Sequence, residues 1–198
     1  MNLRLSGAGD EGIAPTAEQV IIRRGDALIA PKKQPRGGGH MNGVILCVGK
    51  LKEAWQRDGC AEYLKRLSRY GKYEIIAVDD LPAPERASAA QLRQIVDREG
   101  QALLKHVRPG DRVIALCVQA EAPDSVGLSR ILERFCADGR RSVFVIGGSN
   151  GLSDAVLARA DARLSFSNLT FPHGLMRVIL LEQLYRAEKI RAGEPYHK

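Results

Sequence analysis

Val143–Arg177 reads VFVIGG, then SNGLSDAVLARAD, then ARLSFSNLTFPHGLMR, and this stretch decides the fold. Val143–Ile146 is a run of four apolar residues, too short for a helix and rich in β-branched types, so it reads as a buried strand. Gly147 and Gly148 follow at its carboxyl end, where glycine lets the backbone turn and lets another molecule lie against bare peptide groups. In open α/β sheets that end is where ligands bind. Ala162–Phe166 repeats the arrangement: a second strand runs into Ser167–His173, a loop of small polar residues with one proline. The two loops are expected to hold a small ligand, and Leu175–Ala192 to form the helix that closes the site.

Upstream, the hydrophobic periodicity alternates. Strands are expected at Val44–Val48, Tyr73–Val78 and Arg112–Val118, separated by helices at Leu51–Leu67, Ala89–Val107 and Ser125–Ala137. Trp55, Cys60, Tyr63, Leu64 and Leu67 mark the apolar face of the first helix, and Lys52, Arg57, Lys65, Arg66 and Arg69 its basic outer side. Gly100 weakens the middle of the second helix, Ser125 is the expected N-cap of the third, and Gly139 stops it. Strands separated by helices imply βαβ units, a parallel sheet and helices on both faces.

The chain has 198 residues, 44% of them hydrophobic, and a net charge of +7, which favours an anionic partner. Cys47, Cys60, Cys117 and Cys136 show no paired spacing, so they read as free thiols of a reducing cytoplasm and no metal site is expected. No apolar run approaches a membrane span and no secretory signal is visible. Residues 1–40 lack aromatics and end in PKKQPRGGGH, which reads as a flexible extension, or as sequence upstream of the true start. Gln19–Ile22 and Ala27–Ala30 are the one hairpin candidate within it. The folded domain is expected over 41–198.

The segment Gly147–Gly151, GGSNG, lacks the lysine of a P-loop and does not match GxGxxG, so ATPase and dinucleotide readings are disfavoured. Two neighbouring loops of Gly, Ser, Asn and Thr suit a nucleoside held mainly by backbone groups, with Leu116 adding apolar contact. Leu175–Tyr185 is apolar nearly all round, so one side is expected against the sheet and the other against a second subunit. Arg177 and Glu182 interrupt that belt, either as a structural or interface pair or as substrate contacts. The ending Glu194-Pro195-Tyr196-His197-Lys198 combines a stacking ring, a titratable group and a cation. It reads either as a frayed terminus or as a substrate-binding tail in which His197 accepts a proton or contacts a base. His173 reads as a capping or packing residue, and His106 as surface.

GVILCVGKLKE, DREGQALL, VFVIGGSNGL, LSFSNLTFPHGLMRVILLEQLYRA and the terminal EPYHK occur in one order. Together they resemble the ribosomal RNA large subunit methyltransferase H family of the SPOUT superfamily, over about 41–198. The resemblance implies a parallel-sheet α/β fold with a trefoil knot at the carboxyl end. It also implies a homodimer, S-adenosylmethionine as cofactor, and methylation of N3 of a pseudouridine in helix 69 of 23S ribosomal RNA on the assembled ribosome. The family's cofactor contacts fall on Leu116, Gly147, Phe166, Ser167, Asn168, Leu169, Thr170 and Phe171. Tyr196, His197 and Arg177 are then the expected catalytic and substrate-binding residues. Two rivals are a non-catalytic RNA-binding or ribosome-assembly protein of the same fold and a nucleotide-dependent oxidoreductase. The glycine loop and the YHK ending argue against the first, and the missing GxGxxG against the second.

Overall fold

The computed structural model describes residues 40–196. The extension and hairpin expected before residue 40 lie outside the described residues, as does His197.

Five parallel strands form one sheet: β1 (Met41–Val48), β2 (Gly71–Val78), β3 (Arg112–Leu116), β4 (Ser142–Ile146) and β5 (Ala162–Leu164). Five helices connect and follow them: α1 (Ala54–Leu67), α2 (Ala89–Leu104), α3 (Ser125–Cys136), α4 (Asp154–Arg159) and α5 (His173–Arg191). The spatial order is β2-β1-β4-β3-β5, with Val44 beside Val143 and Ile114 beside Phe144. All five residues of β4, the central strand, are buried.

The alternating side chains of the central strands divide the core in two. Ile45, Cys47, Phe144 and Ile146 meet α1, α3 and α5 on one face. Val44, Leu46, Val48, Val143 and Val145 meet Leu103 of α2 and Val156 of α4 on the other. Coverage of both faces is why these strands read as continuous apolar runs.

Several local expectations need correction. The first helix starts at Ala54, not Leu51, because Arg57 Nη1 donates to the carbonyls of Leu51 and Lys52 and holds them outside it. Trp55, expected in the core, is 55% exposed. Asp124, not Ser125, caps α3 by accepting from the Gly127 amide at 2.6 Å. The six-residue α4 is too short to show a helical period; its mark is Ser153, whose hydroxyl accepts from Val156 N. Gly100 has a packing reason to stand inside α2. It is the point at which α2 and the start of α4 touch, since a Cβ there would lie 2.0 Å from Ser153 Oγ. One face of α5 packs on the sheet through Leu180, Leu181, Leu184 and Ala187, which are fully buried, while the apolar Met176, Val178 and Ile179 stay half-exposed on the other, beside Glu182 and Gln183.

Candidate functional site

The helix following β4 lies on the α2 face, whereas those following its neighbours β1 and β3 lie on the opposite face. Adjacent strands whose connections leave on opposite sides open a crevice at their carboxyl ends. Here β4 has such a neighbour on each side, and Gly147–Gly151 is the loop between them. The register places Leu116 beside both Ile146 and Leu164. Leu116, Gly147 and the 166–171 loop therefore leave the carboxyl ends of three adjacent strands, and the fold brings the expected cofactor residues to one edge.

Each loop is fixed from within. A Cβ on Gly147 would lie 2.3 Å from the Gly151 carbonyl oxygen, so this turn closes only on glycine. The Gly151 amide returns to the Gly148 carbonyl at 3.1 Å. Ser165, nearly buried, donates through Oγ to the Ser167 carbonyl at 2.9 Å, and Ser167 Oγ accepts from the Leu169 amide at 2.9 Å. Those bonds turn the chain so that Leu169 is 69% exposed and Phe171 37% exposed. Apolar side chains left open beside folded-back main chain suit a flat ring joined to polar groups. The arrangement fits a nucleoside-bearing cofactor held by Leu116, Gly147 and Phe166–Phe171.

Glu99 carries a role the sequence reading did not assign. It is 5% exposed, accepts from the Leu81 amide at 3.0 Å, and has its other oxygen 2.9 Å from where a Gly148 Cβ would stand. With Gly100 against Ser153, the dipeptide keys α2 into the glycine loop. The available signal was a Glu-Gly pair inside an apolar helical stripe.

Arg177 does not present itself to a ligand. It is 1% exposed, and Nη2 donates to the carbonyls of Val48 at 2.6 Å and Gly49 at 2.7 Å. This corrects the expected substrate contact: the guanidinium satisfies the last carbonyls of β1 and ties α5 to the first strand. Nearby, His173 Nε2 lies 3.4 Å from where a Gly49 Cβ would stand, at the same strand end.

The tail is anchored. Glu194 accepts from Tyr70 Oη at 3.0 Å and pairs with Lys189, whose hydrogen bond pulls the Glu194 carboxyl below its ordinary range. Tyr196 stacks edge-on with Tyr185 at 5.2 Å, lies under the Arg186 guanidinium at 4.8 Å, and donates to Glu182 Oε1 at 3.3 Å. Burial, then the Glu182 carboxylate, pushes its phenol pKa up. These contacts lie about 14 Å or more along α5 from its first residue, at 1.5 Å rise per residue. Tyr196 therefore packs on the middle of its own α5. Burial likewise pushes the Cys47 thiol up to about 11, which leaves it protonated at neutral pH. Among the described residues no group of three His, Cys, Asp or Glu side chains is placed to hold a metal, and no helix is long and apolar enough to cross a membrane.

A family model described as "Predicted SPOUT methyltransferase" matches residues 41–197. The chain belongs to the SPOUT methyltransferase family. It is 51% identical over 159 residues to the ribosomal RNA large subunit methyltransferase H of Bifidobacterium animalis subsp. lactis (strain AD011), covering 80% of this chain and 100% of that one. The proteins of the same name from Clostridioides difficile (strain 630) and Bacillus pumilus (strain SAFR-032) are 49% and 48% identical, each over 80% of this chain and its own full length. Identity of that order over whole relatives places this methyltransferase in the methyltransferase H group.

Proposed function

We propose that this methyltransferase moves a methyl group from S-adenosylmethionine to N3 of pseudouridine 1915 in helix 69 of 23S ribosomal RNA. We place the reaction on assembled ribosomes in the cytoplasm, with a homodimer as the active unit. One observation carries the reading. The glycine loop and the 166–171 loop leave the carboxyl ends of β4 and β5, with Leu116 of β3 paired to both strands between them, in a chain about half identical to proteins named for ribosomal RNA methylation. The reading includes the trefoil knot implied at the carboxyl end.

S-adenosylmethionine, when bound, supplies a methyl group already activated on a sulfonium. Leu116, the backbone at Gly147 and the loop Phe166–Phe171 would hold it. The remaining work is alignment of N3 with the methyl carbon and removal of the N3 proton, and alignment contributes the larger share. Tyr196, whose one hydroxyl proton goes to Glu182, is proposed to help organise the base and not to accept its proton. His197 is the proposed proton acceptor. Arg177 acts indirectly, by holding the end of β1 and the start of α5. A dimer is supported by the half-exposed apolar side chains Met176, Val178 and Ile179 of α5, which leave a face for a second copy, and the proposal draws the tail at each crevice from that copy.

Mass spectrometry of 23S ribosomal RNA tests the proposal. RNA from cells lacking the gene is expected to carry pseudouridine one methyl lighter at this position, restored by the wild-type gene. Full methylation without the gene would overturn the assignment.

A further inference from the structure

Among the described residues, the exposed large hydrophobic side chains are Trp55, Val118, Leu169 and Phe171. All four stand in segments leaving the carboxyl ends of strands: Trp55 after β1, Val118 after β3, Leu169 and Phe171 after β5. Scattered apolar residues need no explanation, but all four of these lie in segments at the same end of the sheet. Leu169 and Phe171 are accounted for by the cofactor loop. Trp55 is not. It is the second residue of α1, beside Gln56, and Gln56 packs against Gly174 in the first turn of α5, where a Cβ would meet Gln56 Oε1 at 2.6 Å. Trp55 thus stands where α1 and α5 begin together, three residues of chain from Phe171 to Gly174.

Its helix shows that this exposure is not forced. Cys60 and Leu67 of α1 are buried, and Tyr63 and Leu64 pack on the same core. Trp55, by contrast, is 55% exposed. Its charged neighbours are mixed: Lys50 pairs with Asp79 at 3.2 Å, and the exposed Lys52, Glu53, Arg57 and Asp58 nearly balance. A site that worked by phosphate attraction would be strongly cationic. A balanced rim with one wide flat ring suits stacking of an unpaired base, which every base supports through its π-face.

We infer that Trp55 is a substrate-positioning residue, a platform on which a ribosomal RNA base at or beside the target stacks while the target enters the crevice. This inference rests on the ribosomal RNA reading above. The test compares Trp55→Ala and Trp55→Phe on ribosomes from cells lacking the gene, with saturating S-adenosylmethionine. Trp55→Ala is expected to raise the KM for ribosomes about tenfold and to leave kcat within about twofold, the scale of one lost stacking partner. Trp55→Phe is expected to recover most of the loss, and calorimetry to show the same S-adenosylmethionine affinity in all three proteins. An unchanged KM in Trp55→Ala overturns the inference and leaves the ribosomal RNA reading standing. If the wild-type protein leaves these ribosomes unmethylated, the substrate assignment fails and the inference with it. The alternative occupant, a second copy of the chain, has its own readout, because Trp55 is the only tryptophan in the sequence. Its emission without RNA is expected to stay constant over a wide range of protein concentration. A blue shift with rising concentration, together with a monomeric Trp55→Ala, assigns the ring to a subunit contact and overturns the inference.

Discussion

The two ends of the sheet are built from different chemistry. At the amino end, charges are paired and half-buried or better. Asp111, ahead of β3, accepts from the Arg108 amide at 2.7 Å and from Arg141 Nε at 3.0 Å. Asp161, ahead of β5, accepts from the Val113 amide at 2.7 Å, and Arg112 pairs with Asp138 at 2.8 Å. Glu188 of α5 is buried, accepts from Tyr73 Oη at 2.6 Å and pairs with Arg191 at 2.7 Å. At the carboxyl end, the loops are held by glycine turns and serine hydroxyls, with apolar side chains left open. The lesson is one of emphasis: carboxylate–guanidinium pairs gather where β3 and β5 begin, whereas glycine turns and serine hydroxyls, braced by the single charges Arg177 and Glu99, shape where the strands end. Charges at the amino end should control stability, and residues at the carboxyl end should control binding.

The largest effect that would sharpen this division is expected at the tail. Deletion of 195–198 should abolish methylation while calorimetry finds S-adenosylmethionine affinity nearly intact; full activity would remove the tail from the site. Gly147→Val comes next. Its side chain needs the space of the Gly151 carbonyl, so cofactor affinity should fall by about a hundredfold or more, in line with costs of about 3 kcal/mol for overpacking a closed turn. An unchanged affinity would separate the turn from the crevice.

At the other end, Asp111→Asn should lower the unfolding free energy by about 3 kcal/mol, because it leaves the Arg141 guanidinium without its carboxylate in a largely buried place. The kcat of the folded fraction should not change; a selective loss of activity would break the proposed division. The effect has a pH signature. Burial pushes the Asp111 carboxyl up, but the hydrogen bonds from Arg141 and the Arg108 amide outweigh it and hold its pKa below the usual aspartate value. A depressed native pKa contributes stability above the unfolded value and loses it as pH falls through the native one. The gap between wild type and Asp111→Asn in chemical denaturation should therefore be full at neutral pH and shrink below about pH 4. The smallest effect is expected from Glu99→Ala. Loss of the acceptor for Leu81 should cost about 1 kcal/mol and speed hydrogen exchange in 148–153, with Glu99→Gln restoring most of both. Unaltered exchange there would dissociate α2 from the glycine loop.

Much of the sheet was legible because its code is local. Val143–Ile146 and Val44–Val48 are short, β-branched and followed by glycine, and nothing in the fold competes with that pattern. The three strand-end loops were legible for the same reason. What escaped was set by distant partners. Trp55 fits the apolar period of α1 equally well in or out of the core, and Arg57 decides where the helix starts by binding carbonyls outside it. Arg177 sits in an apolar belt where a charge looks functional, and no spacing reveals that its partners are carbonyls 128 and 129 residues earlier. Gly100 reads as a helix weakener until Ser153 is seen against it.

The Arg177 bond has a mechanical meaning. It fastens the helix after the 166–171 loop to the last carbonyls of β1, and the Cys117 amide grips the Leu164 carbonyl at the loop's other end at 3.0 Å. Both ends of the segment that links β5 to α5 are thereby tied to neighbouring strands. The free length of the loop therefore lies between those two bonds, where Leu169 and Phe171 stand exposed.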